Sequence, residues 1–308
     1  MKWIKKNIKN LIKDWDSFWF KSTDTLPVSC FRFFFCLTLL VMYLIRLFDI
    51  RVFFYESGLM SSTSAKIFHQ IYTNKSFDFI LSSDTLLYLC YILFILVLLL
   101  MVLGVANRFI AILAFVLHLV FVQRNPSIVF GADIVATFWL FYLIFANSNT
   151  QIKWIHYFLK KQKGLMSERV EKGDWLNTIS IRFIQIQLCV IYMFSGMEKL
   201  KGPSWWDGTA IWEALSFYDF TLFNFSFLLS TPMLSAALVI FTVLFEIYFP
   251  VLVWVPRLRK FMLMAGFCLH LGIALALNIY FFSFIILSSY FLFISPEFLR
   301  KILKKWKL

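Results

Sequence analysis

The chain has 308 residues, of which 61% are hydrophobic and only 15% are charged, and its mean hydropathy is +0.78. Soluble domains are nearer half apolar and a quarter charged, so this composition excludes an ordinary soluble domain. The net charge of +13 does not indicate nucleic-acid binding, because Lys and Arg stand in short clusters between long apolar runs. That arrangement encodes membrane topology, and the sequence predicts an all-α integral membrane protein.

Residues 1–23 predict a basic amphipathic helix that lies in the inner membrane interface. Apolar side chains such as Ile4, Ile8 and Leu11 recur at three-to-four spacing between lysines. Attraction to anionic lipid is the expected role, and docking of a partner is the alternative. No apolar stretch follows the basic one directly, so we do not interpret it as a signal peptide. Residues 298–308 form a basic tail with the same pattern.

Residues 24–297 predict one membrane domain, since no Gly/Ser/Pro-rich linker divides them. Apolar runs of roughly 17–25 residues can cross a bilayer as helices, and we predict about eight of them. The predicted spans are residues 27–48, 85–106, 109–123, 128–147, 179–197, 234–255, 261–278 and 280–295. The third and eighth are short, which tilt or a thin patch of bilayer accommodates.

The basic residues orient these spans. If the N-terminus is inside, most of the 30 Lys and Arg fall on the cytoplasmic side. The clusters are residues 2–21, Arg108, residues 148–182, residues 257–260 and residues 300–307. Both termini of this multi-pass protein of the cell (cytoplasmic) membrane are therefore predicted to be cytoplasmic. Two predicted outer loops, residues 49–84 and 198–233, are long enough to carry function.

The five cysteines carry little information. They are Cys30, Cys36, Cys90, Cys189 and Cys268, and all lie in apolar segments. The sequence has no C-x-x-C pair, no Cys/His metal spacing and no disulfide framework. We interpret them as small core residues and expect no metal.

Ionisable residues inside spans are candidate functional residues, because each costs at least a few kcal/mol to insert. They are Arg32, Arg46, His118, Asp133, Glu246 and His270. Arg46 is expected to snorkel to the outer interface, and His118 to be a hydrogen-bonded packing residue. Arg32 either snorkels inward or pairs with Glu246. For Glu246 and His270 a functional role and structural pairing, with each other included, remain open.

Lys199 differs from the other basic residues. It ends an apolar span on the predicted outer side, against the charge bias. A lysine at a desolvated site loses its proton more readily and can act as a base. Its neighbour Glu198 would oppose this if it faced the same site. The alternative is a lysine that snorkels to the interface.

Four blocks of sequence, taken together, resemble a known family. The blocks are Phe31-Arg32 with Tyr55 and Gly58; Arg124-Asn125-Pro126 with Gly131 and Asp133; Gln187, Tyr192, Gly196, Lys199 and Leu200 with Trp206, Gly208, Thr209 and Ala210; and Glu246 with Leu269-His270, Gly272 and Ile273. In this order they resemble the HTTM (horizontally transferred transmembrane) domain of the vitamin K-dependent γ-glutamyl carboxylase family. The resemblance covers about residues 27–297.

The resemblance implies an enzyme. Lys199 would be the base that deprotonates vitamin K hydroquinone, with His270 as a second catalytic residue. The residues implied to bind the quinol or to support the site are Arg32, Asn125, Asp133, Tyr192, Trp206 and Glu246. The implied co-reactants are a quinol, O2 and CO2, and the implied substrate is a peptide or small acid that is carboxylated at the outer face.

Two departures leave a second function open. Pro126 stands where the carboxylases have a histidine directly after Asn125, and only a short tail follows the last predicted span. The alternative is a non-catalytic membrane factor for the maturation or export of a secreted peptide, working with a gene-neighbour partner. Bacterial stand-alone relatives of this size are of that toxin-maturation type. A transporter is disfavoured because the sequence shows no internal repeat and few helix breakers.

Overall fold

The computed structural model describes residues 2–72, 83–105, 107–149, 151–152, 170–216, 221 and 223–305. Regular structure in these ranges is helical, with one isolated extended bridge between Asp24 and Lys172. The predicted all-α fold is therefore confirmed for the described part of the chain. The helices fall into two compact units, residues 1–183 with 294–308, and residues 184–293.

The first unit contains the N-terminal helices, the beginning of a long central helix, and the C-terminal helix. These are α1 (Lys2–Phe20), α2 (Leu26–Phe48), α3 (Ile50–Phe54), α4 (Ser62–Tyr72), α5 (Asp84–Leu103), α6 (Arg108–Arg124), α7 (Gly131–Leu143), the start of α8 (Trp175–Lys199) and, at the other end of the chain, α15 (Pro296–Lys305). The second unit contains the rest of α8 and the helices that follow it. These are α9 (Pro203–Asp207), α10 (Ala210–Ser216), α11 (Phe227–Ser230), α12 (Pro232–Leu252), α13 (Pro256–Ala276) and α14 (Tyr280–Ser289).

Five of these helices are long and apolar enough to cross a membrane, namely α2, α5, α8, α12 and α13. A sixth span is counted if the segment from Tyr280 to Phe293 and α15, which are bent by 113°, form one broken span. The apolar α7 has only 13 residues. Several apolar helices thus indicate a membrane-embedded protein. By length and composition, five or six of the described helical segments could cross a membrane, and the number of eight stays a prediction.

The fourth and eighth predicted spans are interrupted for local reasons. Pro126 begins a 3-10 turn, Pro126–Ile128, so the α-helix of the fourth span begins only at Gly131. The eighth ends in a second 3-10 turn, Tyr290–Phe293, after which Pro296 begins α15 in a new direction. Proline lacks an N–H and cannot continue the hydrogen bonding of a preceding helix.

Helix boundaries elsewhere follow ordinary capping chemistry. Ser83 accepts a hydrogen bond from the Leu86 N–H at 3.4 Å where α5 begins. Asn107 accepts one from the Ile110 N–H at 2.9 Å where α6 begins. These side chains satisfy amide groups that have no partner within the helix. Gly104 ends α5 with φ of 87°, a left-handed conformation that glycine adopts without a steric penalty.

Helix α12 carries proline at two kinds of position. Pro232 stands in its first turn, where the missing N–H has no intrahelical partner in any case. Pro250 lies inside the helix. Because Pro250 has no N–H, the carbonyl four residues earlier, that of Glu246, receives no helical hydrogen bond from it.

The core of the first unit is an aromatic cluster between α2, α5 and α6. The rings of Tyr43 and Phe94 are 4.7 Å apart, and those of Tyr91 and Phe121 are 5.0 Å apart. The Tyr91 hydroxyl donates to the Tyr43 carbonyl at 2.6 Å. All four side chains are buried. The hydroxyl groups of Tyr43 and Tyr91 are thus both hydrogen-bonded, as burial requires.

Both basic terminal segments are helical and attached to the first unit. Near the end of α1 the Arg182 Nε donates to the Phe18 carbonyl at 3.1 Å, and its guanidinium lies 4.3 Å from the Phe18 ring centre. On α15, Arg300 forms two hydrogen bonds with Asp24, at 2.7 and 3.1 Å. The middle of α1 exposes Leu11 and Trp15, at 68% and 63%. This face suits the interfacial role predicted from the sequence, which stays a prediction; residues 306–308 lie outside the described part.

The second unit is held by a smaller aromatic cluster. The Tyr192 ring on α8 lies 4.5 Å from Phe249 and 5.3 Å from Phe245, both on α12. The Phe249 ring stacks at 5.9 Å on Tyr290, which follows α14. A Cβ atom added to Gly266 of α13 would lie 1.9 Å from the Tyr290 hydroxyl oxygen. The absence of a side chain at Gly266 is therefore what allows Tyr290 to reach the interior.

Candidate functional site

One face of α8 carries the residues from which the candidate site is built. Tyr192, Ser195, Gly196 and Lys199 are separated by three, four and seven positions, so they lie on the same side of the helix. A Cβ atom on Gly196 would lie 2.9 Å from Ile247 Cγ1, so α8 and α12 approach closely at this point. This close approach brings the carboxylate of the neighbouring residue on α12 within reach of Lys199.

Lys199 forms an ion pair with Glu246. Its Nζ donates to Glu246 Oε1 at 3.0 Å and lies 2.8 Å from Oε2. It also donates to Ser195 Oγ at 2.7 Å. The exposed fraction of the side chains is 20% for Lys199 and 7% for Glu246, so the pair is largely removed from solvent. The partner of Glu246 is Lys199, and neither sequence-based alternative, Arg32 or His270, is its partner.

The residues that follow α8 close over this pair. The centre of the Trp205 ring lies 5.1 Å from Lys199 Nζ. Trp206, which the sequence singled out, is 71% exposed, and its Nε1 donates to the Leu200 carbonyl at 2.8 Å. Glu198 is exposed and pairs with Lys201. Glu198 therefore does not face the same site as Lys199.

Deeper in the second unit, three polar side chains form a buried hydrogen-bonded chain. The Tyr192 hydroxyl oxygen lies 2.7 Å from His270 Nε2 and 2.6 Å from the Tyr290 hydroxyl oxygen. His270 is 2% exposed, and its Nδ1 has no hydrogen-bond partner among the described residues. Each hydroxyl group can donate one proton and accept another, so the chain can pass a proton in either direction. His270 thus pairs with Tyr192.

In the first unit, Asp133 is bound to Arg46. The guanidinium of Arg46 donates to both carboxylate oxygens of Asp133, at 2.8 and 2.9 Å. Arg46 is only 13% exposed, its guanidinium is held by a carboxylate of another helix, and its expected position at the interface stays a prediction. His118 bridges the Tyr43 hydroxyl at 3.1 Å and the Asp133 carbonyl at 3.0 Å, which matches the packing role expected of it.

Arg32 and Asn125 also bind main-chain groups of the first unit. The guanidinium of Arg32 is fully buried and donates to the carbonyls of Met101 and Ile152, at 2.6 and 2.8 Å. The Met101 carbonyl belongs to the last turn of α5, where a cation is favourable. Asn125 Nδ2 donates to the Phe53 carbonyl at 2.6 Å. Arg32 therefore does not snorkel inward, and both side chains tie helices to loops.

Three residues of the candidate site were not predicted from the sequence. Ser195 stands one turn before Lys199, and this spacing would have been a usable signal. Trp205 is next to the predicted Trp206, but the choice between two adjacent tryptophans depends on the turn that precedes them. Tyr290 has no local signal, because its contact with Tyr192 joins positions 98 residues apart and depends on Gly266.

Comparison with family models, with curated proteins and with solved structures finds no match to this chain. Its class is therefore defined by its own features. The described residues form an all-helical, membrane-embedded protein, in which a largely buried lysine–glutamate pair lies at one end of a long apolar helix.

Proposed function

We propose that this chain is a multi-pass protein of the cell membrane that carries out acid–base chemistry on a quinol at its outer face, like the carboxylase family its sequence resembles. The observation that carries the proposal is the environment of Lys199. Its Nζ lies at the end of an apolar helix, between Glu246 at 3.0 Å and Ser195 at 2.7 Å. The substrate is a peptide or small acid that approaches from outside.

The proposed topology has eight spans, with α6, α7 and α14 as short ones and both termini in the cytoplasm. Segments that the charge rule places inside meet in the first unit. Asp24 binds Arg300 at 2.7 Å, and the Thr25 N–H donates to the Glu171 carbonyl at 3.1 Å. Segments that the rule places outside also meet, since the Glu56 N–H donates to Asp84 at 2.9 Å.

Single cysteines test this topology. In a background without native cysteines, Ser61→Cys and Thr209→Cys should react with an impermeant thiol reagent added to intact cells. Lys172→Cys, which is also exposed, should react only after the membrane is opened. Labelling of Lys172→Cys in intact cells would refute the eight-span arrangement. Residue 164, in the same predicted cytoplasmic loop, lies outside the described residues.

Glu246 changes how Lys199 can act as a base. A carboxylate at this distance stabilises the ammonium form, so burial alone does not supply a free amine. In a low-dielectric environment, however, an ion pair is held against a large desolvation penalty. Transfer of one proton from Lys199 Nζ to Glu246 converts it into a neutral amine and a neutral acid. In that neutral form the amine of Lys199 can accept a proton from a hydroxyl group of the quinol.

The donors and acceptors of the second unit fit a quinol. The buried His270 Nδ1 has no partner among the described residues, and we assign it to a hydroxyl group of the bound quinol, because buried polar atoms are normally hydrogen-bonded. Tyr192 and Tyr290 extend the same hydrogen-bonded chain. A bound quinol supplies the electrons for the reaction with O2. Lys199 and Glu246 would take up and hold its proton, and the Tyr192 chain would orient its ring substituents.

The test uses the purified full chain in lipid nanodiscs with a reduced naphthoquinone and O2, and measures quinol-dependent oxygen consumption. Lys199→Ala should abolish this activity. Lys199→Arg should not restore it, because a guanidinium stays protonated, whereas a small added amine should restore part of it. Lys201→Ala is the matched control, since Lys201 is 69% exposed, and should leave the activity unchanged. Full activity of Lys199→Arg would refute the base role.

One observation favours a second candidate, a non-catalytic factor for secreted-peptide maturation. Ser195, Glu246 and Trp205 surround the Lys199 ammonium group, as in a purely structural ion pair. In that case no variant shows quinol-dependent oxygen consumption. Lys199→Arg then supports peptide maturation as well as the native chain does, because only the positive charge is needed.

A further inference from the structure

Trp205 covers the ammonium group of Lys199. The centre of its indole ring lies 5.1 Å from Nζ, within the range of about 6 Å over which a ring face attracts a cation. Ser195 and Glu246 accept hydrogen bonds from Nζ. The indole ring is thus a third neighbour of Nζ, beside the two side chains that accept its hydrogen bonds.

The turn after α8 is shaped to place the indole there. The Gly202 N–H donates to the Lys199 carbonyl at 3.1 Å, and the Trp205 N–H donates to the Gly202 carbonyl at 3.2 Å. A Cβ atom on Gly202 would lie 3.0 Å from Trp205 Cδ1, so this glycine leaves room for the ring. The neighbouring Trp206 points its Nε1 to the Leu200 carbonyl instead. Adjacent tryptophans thus have different partners.

We propose that Trp205 is a positioning residue for Lys199. Its indole face holds the ammonium beside Glu246 and excludes water and solutes from Nζ. A ring face attracts a cation more strongly when the cation is removed from water, so the cover and the burial of the ion pair reinforce each other. The inference rests on the proposed role of Lys199, but it concerns the accessibility of an amine, which is measurable whether or not the protein is an enzyme.

The test measures how fast a small amine-acetylating reagent modifies Lys199. The full chain is held in lipid nanodiscs at one fixed alkaline pH, and the modified peptide is quantified by mass spectrometry. Trp205→Ala should raise the rate about fivefold, the factor expected from an ordinary cation–π contact. Trp205→Leu, which keeps bulk but has no ring face, should raise it similarly. Trp205→Phe keeps a ring face and should stay within about twofold of the native rate.

Two controls separate this effect from a general loosening of the loop. Trp206→Ala removes an adjacent, exposed tryptophan and should leave the Lys199 rate unchanged. Lys201, which is 69% exposed, serves as a reference in every variant, and its rate should not change. An unchanged Lys199 rate in Trp205→Ala overturns the proposal. So does protection by Trp205→Leu equal to that by Trp205→Phe, or an equal rise at Lys201.

Failure of this inference is distinguishable from failure of the proposed function. If Trp205→Ala leaves Lys199 as protected as before while oxygen consumption still depends on Lys199, only the cover is refuted. If Lys199 becomes accessible as expected but no variant consumes oxygen, the cover stands and only the enzymatic role is refuted.

Discussion

Each of the two units contains a largely buried ion pair between two of its helices, Arg46–Asp133 in the first and Lys199–Glu246 in the second, and these two pairs differ in kind. In the first unit Arg46 grips both oxygens of Asp133, at 2.8 and 2.9 Å. In the second, Lys199 meets Glu246 with a single ammonium group and shares it with Ser195. A guanidinium is planar, binds a carboxylate at two points and keeps its proton, whereas an ammonium group can release one.

This difference suggests different roles for the two pairs, one structural and one chemical. The Arg46–Asp133 pair has a fixed geometry and fixed charge, and it joins α2 to α7, so it acts as a structural clamp. The Lys199–Glu246 pair has an ammonium group in place of a guanidinium, and it is the pair to which we assign the proposed acid–base chemistry.

The clamp should be the most sensitive point of the first unit. Asp133→Asn leaves the guanidinium of Arg46, 13% exposed, without its carboxylate. The free energy of unfolding should fall by about 3–5 kcal/mol, as when one partner of a buried pair is removed. Denaturant unfolding in detergent micelles measures the change.

An exposed pair of the same type provides the control. Arg108 and Asp174 lie 2.8 Å apart, with side chains 49% and 42% exposed. Arg108→Gln should therefore cost no more than about 1 kcal/mol. Equal losses in Asp133→Asn and Arg108→Gln would show that burial does not set the importance of the Arg46–Asp133 pair.

The hydrogen-bonded chain of the second unit depends on a missing side chain. In Gly266→Ala the new methyl group would lie 1.9 Å from the Tyr290 hydroxyl oxygen and 2.7 Å from Phe245 Cζ. Overpacking of this kind should lower the free energy of unfolding by about 1–3 kcal/mol. Gly272, on the same helix, has nothing within 4 Å of such a methyl group. Gly272→Ala should leave thermal stability unchanged or slightly higher, and a loss equal to that of Gly266→Ala would contradict the contact with Tyr290.

A double-mutant cycle measures the coupling within the second pair. Glu246→Gln alone leaves the Lys199 ammonium without a counterion, and Lys199→Met alone leaves a carboxylate that is 7% exposed. The double variant should recover about 1–2 kcal/mol relative to the sum of the single changes. Additive effects, with no coupling, would show that the two side chains do not act as a unit.

The weakest effect is expected at the C-terminal helix. Arg300 and Asp24, whose side chains are 17% and 13% exposed, hold α15 against the start of α2. Arg300→Gln should appear as faster proteolysis of the tail, because loss of this pair releases the terminal helix without unfolding the rest of the unit. Lys301→Gln, an exposed neighbour on the same helix, is the control and should change nothing. Equal proteolysis of both variants and the native chain would show that the Arg300–Asp24 pair does not hold α15 in place.

The apolar runs predicted the long helices well, because the composition of a membrane helix is enough to identify it in the sequence. The first predicted span, residues 27–48, differs by one residue from Leu26–Phe48. The fourth and eighth spans were predicted too long, because the turn at Pro126 and the bend before Pro296 depend on where proline interrupts backbone hydrogen bonding. Apolar side chains continue through the turn and the bend, so hydrophobicity alone does not reveal where the helix stops.

The members of the candidate site were easier to predict than their partners. Lys199, Glu246, His270 and Tyr192 are each unusual in an apolar segment, which is a local signal. Which of them meet is a tertiary question, decided by small residues such as Gly196 that allow two helices to approach. Sequence reasoning therefore found the polar side chains of the second unit without finding that Glu246 belongs to Lys199.

Pro250 has a mechanical consequence for the carboxylate of α12. Pro250 cannot donate to the Glu246 carbonyl, so α12 lacks one backbone hydrogen bond at the residue that carries the charge. A helix that lacks a backbone hydrogen bond bends more easily at that place than elsewhere. Glu246 thus lies at the point where α12 bends most easily, so a bend of this helix would act directly on the residue that holds Lys199.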